Sequence, residues 1–364
     1  MRGPLLCFLG AALATLVLAA GVNYFVDSGG DFLVESGEGQ RLVEGYVEKL
    51  RAEPRGLVLP DQDRLIKIEL ARRSAADCFV IGSSHAFQFD AETAPNIFQG
   101  CREVANLAAP AGGFEDLVAI AGFVAERRDG AHFFLEIDPW TLRPNPSIFW
   151  AFEYRDVYER ARSALGLPPR SVLPTKLLAD ASALLNFRYL IANLNAVLHG
   201  DVKRQKTLAG IAAADNADDD LLMLPSGRFV YGNMEPVALG QVVDGSFNSE
   251  EPALDPTTVA EFESVIGALL GRGHRVSFLI TPYHPFVVST CRSPLICRCQ
   301  KAVEGYVRAA SVRWGTRVIG GFDPRPLGLA DRDFMDSQHL MLSGVSKLNA
   351  FVSTERSARS EAAN

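Results

Sequence analysis

The stretch Cys78-Phe79-Val80-Ile81-Gly82-Ser83-Ser84-His85 decides the fold. Four apolar residues run into a glycine, two small hydroxyl residues and a histidine. Such a run reads as a buried parallel strand that ends in a tight turn, with a helix to follow. Ligands in an open α/β sheet bind beyond the carboxyl ends of the strands. Ser84 therefore stands where a nucleophile would stand. Serine is also a preferred helix cap, so the stretch alone leaves both roles open.

The same rhythm continues outward. Asp61 to Ala75 has helical spacing and leads into the strand. Downstream, Glu103 to Ala108 reads as a second strand closed by the loop Ala109-Pro110-Ala111-Gly112-Gly113. Phe114 to Arg128 is helical, and His132 to Asp138 is a third strand closed by Pro139-Trp140. After a long interval, Asp255-Pro256 caps a helix over 257–270. Arg275 to Thr281 is a strand, Pro294 to Trp314 a helix, Arg317 to Gly320 a strand and Ser343 to Phe351 a last helix. Strand–loop–helix units in succession predict an α/β three-layer sandwich around a parallel sheet of about five strands. The spacing assigns 61–352 to this domain and 353–364 to a disordered tail. Within it, 146–245 breaks the rhythm with helical and polar segments and reads as an insertion over the strand ends. Its Asp218-Asp219-Asp220 run lacks the spacing and glycine of an EF-hand loop and reads as solvated.

The chain of 364 residues, 48% hydrophobic, is long enough for a sizeable core. Its net charge of −7 provides no basic stripe for phosphates, which argues against nucleic acid as a partner. From Gly3 to Val26 there is no charged residue, and about 20 apolar residues suffice to span a bilayer as a helix. The spacing assigns 4–26 to a transmembrane anchor and 27–60 to a membrane-proximal linker. Arg2 before the span, and Asp27 and Asp31 after it, put the amino terminus in the cytoplasm. The domain then lies on the extracytoplasmic, periplasmic side of the inner membrane. The small residues Ala19-Ala20-Gly21 leave a cleaved signal peptide as the competing reading.

Export bears on the six cysteines. Cys78 and Cys101 both lie next to predicted strands that neighbour each other in a parallel sheet, so a disulfide is expected in an oxidising compartment. Cys291, Cys297 and Cys299 match no standard zinc spacing and favour a second bridge, with its pairing open. No metal and no cofactor are expected.

Near the far end of the chain, Phe334-Met335-Asp336-Ser337-Gln338-His339 places a carboxylate and an imidazole three residues apart. The carboxylate can hold one ring nitrogen and leave the other free as a base. Ser84, His339 and Asp336 together make up the parts of a serine-nucleophile triad. His85, Asp138, Trp140, Tyr283 and His284 all fall at predicted strand ends and are candidate substrate-binding residues. Arg143 stands close by.

Gly82-Ser83-Ser84, the asparagine- and glycine-bearing second loop, and the carboxy-terminal Asp-x-x-His resemble the SGNH (GDSL-type) hydrolase and acyltransferase superfamily over 76–352. The charge-free amino terminus and the Gly-Ser-Ser-His form resemble its membrane-anchored branch, which includes alginate O-acetylation and teichoic-acid D-alanylation proteins. The resemblance implies Ser84 as nucleophile, His339 as base and Asp336 as its orienting partner. It implies an oxyanion hole from the backbone N–H groups of Ser84 and Gly112, with Gly113 as the alternative. The chain departs from the family in three places. Ser83 replaces the aspartate of Gly-Asp-Ser, and the second-block glycine can fall on Ala111. Leu135-Glu136-Ile137-Asp138 lacks the third block's asparagine donor.

The implied function is an O-acyltransferase or esterase acting on a cell-envelope polysaccharide through an acyl-serine. A multi-spanning membrane partner that exports acyl groups would be its donor. The alternative is a catalytically inactive member that binds glycan or assists assembly.

Overall fold

The computed structural model describes residues 2–26, 37–58, 63–143, 150, 154–170, 184–198, 221–231, 235–237, 254–290 and 294–363, with side chains in the first helix from Gly10 onward. Most of the expected insertion and linker, including the aspartate run at 218–220, lies outside these residues.

In chain order the elements are α1 (Arg2–Val26), α2 (Gly37–Ala52), β1 (Leu57–Val58), α3 (Asp63–Arg73), β2 (Cys78–Ile81) and β3 (Val104–Asn106). Next come α4 (Phe114–Ala125), β4 (His132–Glu136), α5 (Arg155–Ala164), α6 (Phe187–Leu198), β5 (Leu221–Met223) and β6 (Phe229–Tyr231). The chain closes with α7 (Pro256–Gly271), β7 (Arg275–Ile280), α8 (Pro285–Thr290), α9 (Pro294–Trp314), β8 (Arg317–Gly320) and α10 (Leu342–Ala363).

The main sheet has the order β3-β2-β4-β7-β8 and is parallel throughout. Cys78–Val80 run beside Val104–Asn106 on one flank, and Cys78–Ile81 beside His132–Leu135 on the other. The chain winds one way from β2 to β3 and then crosses back to β4. The carboxyl ends of β2 and β4 thus form the topological switch point, where open α/β sheets bind ligands. Strands covered on both faces read as continuous apolar runs. Phe79, Val80, Phe133, Phe134, Phe278 and Leu279 are accordingly buried. Helix α4 is buried along its whole length, and α7 turns Phe262, Val265, Ile266 and Leu269 inward.

Several expectations are corrected. Beyond Ser84 there is only a single 3-10 turn, Ser84–Ala86, rather than a helix. The cause is tertiary. Asn106 Nδ2 donates to the carbonyls of Ala86, Phe87 and Phe89, and Phe229 N–H donates to Phe87. These contacts draw the segment after Ser84 onto β3 and β6 instead of into a continuing helix. The expected disordered tail at 353–364 is instead the continuation of α10 to Ala363. Its Ala, Glu and Arg residues are good helix formers with no Gly or Pro among them.

A second, antiparallel sheet, β1-β5-β6, stands apart from the expected one; the turn and strand that the sequence predicts over 224–231 supply β6, while β1 and β5 carry no such signal. This sheet is fastened to the main domain by buried Lys67 on α3, which donates to Asn106 O at 2.8 Å and Gly227 O at 2.6 Å. Burial holds the Lys67 ammonium well below the usual lysine range. Among the described residues, no helix is long and apolar enough to cross a membrane; residues 4–26, expected as a span, lie within α1. Cys78 and Cys101 are joined by a disulfide, Cys297 is disulfide-bonded, and Cys299 is a buried free thiol.

Candidate active site

Three strand-end loops and one carboxy-terminal loop converge at the switch point. The loop after β2 carries Ser84, with Ser83 before it. Ser83, not Ser84, serves as the cap, its Oγ accepting from His85 N–H at 3.2 Å. Ser84 Oγ is left free and lies 2.8 Å from His339 Nε2. His339 Nδ1 is 2.6 Å from Asp336 Oδ2, and Asp336 Oδ1 accepts the backbone N–H groups of Gln338 and His339. Partial burial alone would raise the Asp336 carboxyl, but the bonds from His339 and these N–H groups outweigh it and hold it below the usual carboxylate range. The ionised carboxylate fixes the tautomer with the proton on Nδ1, and Nε2 is then free to accept from Ser84. The loop itself is closed by Met335 N–H on His339 O and by a bridge between Phe334 and Leu340.

Behind the nucleophile lies a buried group that sequence reasoning treated only in part. Glu136 at the end of β4 accepts Ser83 N–H at 2.9 Å and Thr281 Oγ at 3.2 Å. Asp138 Oδ1 stands 2.6 Å from His85 Nδ1. The two atoms do not align as a hydrogen bond, so the short approach is a close pair of buried polar groups. Burial pushes the Glu136 carboxyl up to about 8, aided by Asp138, and the Asp138 carboxyl up to about 7, while it pushes the His85 imidazole down. The His85 ring meets His339, Trp140 and Tyr283 edge-on at centroid distances of 4.9, 5.4 and 5.4 Å. The cluster thus backs the His339 imidazole.

His85, Glu136 and Asp138 also present donor atoms within 4.8 Å of one another, the spacing of a metal site. Two donors about 2 Å from one tetrahedral ion lie roughly 3.3 Å apart. The 2.6 Å between His85 and Asp138 is too short for two ligands of one ion. Both Glu136 oxygens already have donors. The set as it stands does not fit an ion.

The other expected site residues fall into two groups. His85, Asp138, Tyr283 and His284 are buried and support the site from behind rather than line a path to it. His284 Nδ1 accepts Phe286 N–H, and its own N–H donates to Ser337 O, which ties α8 to the catalytic loop. Trp140 is half-buried and donates to Gly112 O at 3.1 Å. Arg143 is buried nearby.

The loop after β3 packs against the nucleophile strand. Ala109 N–H donates to Gly82 O, and a Cβ on Gly112 would stand 2.4 Å from that oxygen, so only glycine fits at 112. The Gly112 N–H, expected as an oxyanion donor, donates to Ala109 O at 3.0 Å, and Gly113 N–H donates to Asp116. Ala111 adopts φ +50°, the one non-glycine residue in the left-handed region among those described. That conformation is uncommon for a residue with a side chain. Ala111 is exposed, and its N–H donates to no described residue.

Asn106, Glu136 and the capping role of Ser83 escaped the sequence reading. For Glu136 and Asp138 a signal existed, since two acids two residues apart at the end of an apolar strand face the same side.

No family model matches the chain, and no curated protein matches it.

Proposed function

We propose that the chain is a serine-dependent acyltransferase or esterase that acts on a cell-envelope polysaccharide. The observation that carries this reading is the continuous line Ser84 Oγ–His339–Asp336, with contacts of 2.8 and 2.6 Å. Ser84 Oγ attacks an ester carbonyl while His339 Nε2 takes its proton. His339 then returns that proton to the departing alcohol, leaving an acyl-serine. Water or a sugar hydroxyl attacks the acyl-serine, and His339 moves the proton from this nucleophile back to Ser84. The oxyanion is met by Ser84 N–H and, in this reading, by Ala111 N–H rather than the committed Gly112. One such donor is worth on the order of 3 kcal/mol.

The charge-free run 3–26 supports a membrane anchor with the domain on the extracytoplasmic side, and the Cys78–Cys101 disulfide favours an oxidising compartment. An extracytoplasmic transferase has no acetyl-CoA at hand, so a multi-spanning membrane protein that exports acyl groups is its donor.

The test is turnover of p-nitrophenyl acetate by the full chain in detergent, with and without a soluble polysaccharide acceptor. The reading expects nitrophenol release that Ser84→Ala abolishes, and acetyl groups on the acceptor if transfer dominates. Equal rates for the parent and Ser84→Ala would leave the non-catalytic, glycan-binding reading.

A further inference from the structure

Helix α6, Phe187–Leu198, has the sequence FRYLIANLNAVL, with Arg188 as its one charged residue. It packs against α1 through a polar tie. Asn193 Nδ2 donates to Asn23 Oδ1 at 3.0 Å, and Asn23 Nδ2 donates to the carbonyls of Leu184 and Asn186 just ahead of α6. Asn23 and Asn193 are both fully buried in this contact. On the outside the pattern reverses. Ile191, Leu194 and Leu198 form a helical stripe roughly opposite Asn193, and all are exposed, Leu198 at 76%. Val197 is exposed beside them, and on α1 Leu13, Leu16, Val17, Leu18 and Phe25 are exposed as well.

With Asn23 and Asn193 buried and the described outward side chains mostly aliphatic, Asn195 excepted, the pair is largely the reverse of a water-facing one. A contiguous apolar surface of this kind marks an interaction site. In lipid the arrangement is the expected one, because polar side chains there find partners on a neighbouring helix. Asn23 stands three residues before the end of α1, so α6 meets α1 where an anchor would leave the bilayer. Arg188, exposed in the first turn of α6, complements anionic headgroups at that level.

We propose that α6 is a second membrane-contacting element, lying in the outer interface against the end of α1 with Ile191, Leu194 and Leu198 in the acyl region. This rests on the anchor reading of α1 given above. It would hold the catalytic domain at a fixed height and tilt over the membrane, facing lipid-linked or membrane-proximal substrate.

The two claims separate in one experiment. The full chain is reconstituted in vesicles of phosphatidylcholine and phosphatidylglycerol, with or without 6,7-dibromo-phosphatidylcholine, which quenches tryptophan at the acyl level. Leu13→Trp reports on α1, and Leu194→Trp and Leu198→Trp report on α6. The native tryptophans, Trp140, Trp150 and Trp314, all belong to the catalytic domain and set the parent baseline. Thermal unfolding of each variant at the parent temperature establishes that it is folded. The proposal expects the added emission at 13, 194 and 198 to be quenched to a similar fraction. Quenching at 13 with no loss of the added emission at 194 and 198 overturns the α6 proposal and leaves the anchor. No loss of the added emission at any of the three overturns both. Unquenched α6 reporters with a chain–chain crosslink through Leu198→Cys would assign the face to a second copy and overturn the proposal.

Discussion

Glu136 lies across Gly82, so that a Cβ at position 82 would stand 2.4 Å from Glu136 Cβ and 2.5 Å from its Oε2. The glycine before the nucleophile is therefore a packing requirement of the acid on the neighbouring strand. Gly82→Ala is expected to cost about 3 kcal/mol, the upper end for overpacking, and to displace Ser83 and Ser84. Urea unfolding reads the first effect. Gly267→Ala within α7 meets nothing within 4 Å and is the control, expected to stabilise by about 0.5–1 kcal/mol.

Asn106 closes the segment after the nucleophile. Its replacement by alanine would leave the Phe89 carbonyl without its donor and Ala108 N–H without its acceptor, while the Ala86 carbonyl keeps Phe89 N–H. At about 1–3 kcal/mol for each unsatisfied group, Asn106→Ala should lower stability by at least about 2 kcal/mol. Faster hydrogen exchange over 84–90 with unchanged exchange in β7 would show that the loss is local.

The buried carboxyls give stability a pH dependence of unusual sign. Both Glu136, raised to about 8, and Asp138, raised to about 7, bind protons more tightly in the folded chain than in the unfolded one. Their contribution is fully present below the unfolded carboxylate range near pH 4 and is lost as pH rises through 7 to 8. The part of the unfolding free energy that depends on Glu136, read as parent minus Glu136→Gln, therefore falls from pH 5 to pH 8, against the rise contributed by His85 and His132. Glu136→Gln, which keeps an oxygen for Ser83 N–H, should remove this fall. A slope unchanged in this variant would contradict the protonated cluster.

The Cys78–Cys101 bridge ties the start of the nucleophile strand to the segment before β3 across 23 residues. Closing a loop of that length is worth about 3 kcal/mol. Cys101→Ser is expected to lower stability by that amount in urea unfolding without reductant, where the bridge at Cys297 is intact in parent and variant alike.

The sheet and the triad were legible in the chain because each depends on local pattern. Apolar runs such as Cys78–Ile81 and His132–Leu135 mark buried parallel strands, and Asp336 with His339 fit one turn. What was not legible depends on contacts distant in sequence. Whether Ser83 or Ser84 caps is settled by His339 reaching across from the far end of the chain. The helix expected after Ser84 is suppressed by Asn106, a residue on another strand. The small sheet needs Leu57 and Val58 to pair with Met223 and Leu222, and strands so short carry almost no periodicity. The bond from Gly112 N–H to Ala109 O follows from a turn conformation that an alanine rarely adopts.

The central claim is that His339, held by Asp336, activates Ser84. Its most direct test is reaction of the full chain in detergent with a fluorophosphonate, followed by mass spectrometry of the modified peptide. The account predicts a single adduct on Ser84, formed at a rate lowered at least about a hundredfold in His339→Ala, in line with the 10²–10⁴ contribution of a positioned base. Folded parent protein that takes up no adduct, or takes it up equally in Ser84→Ala, would contradict it.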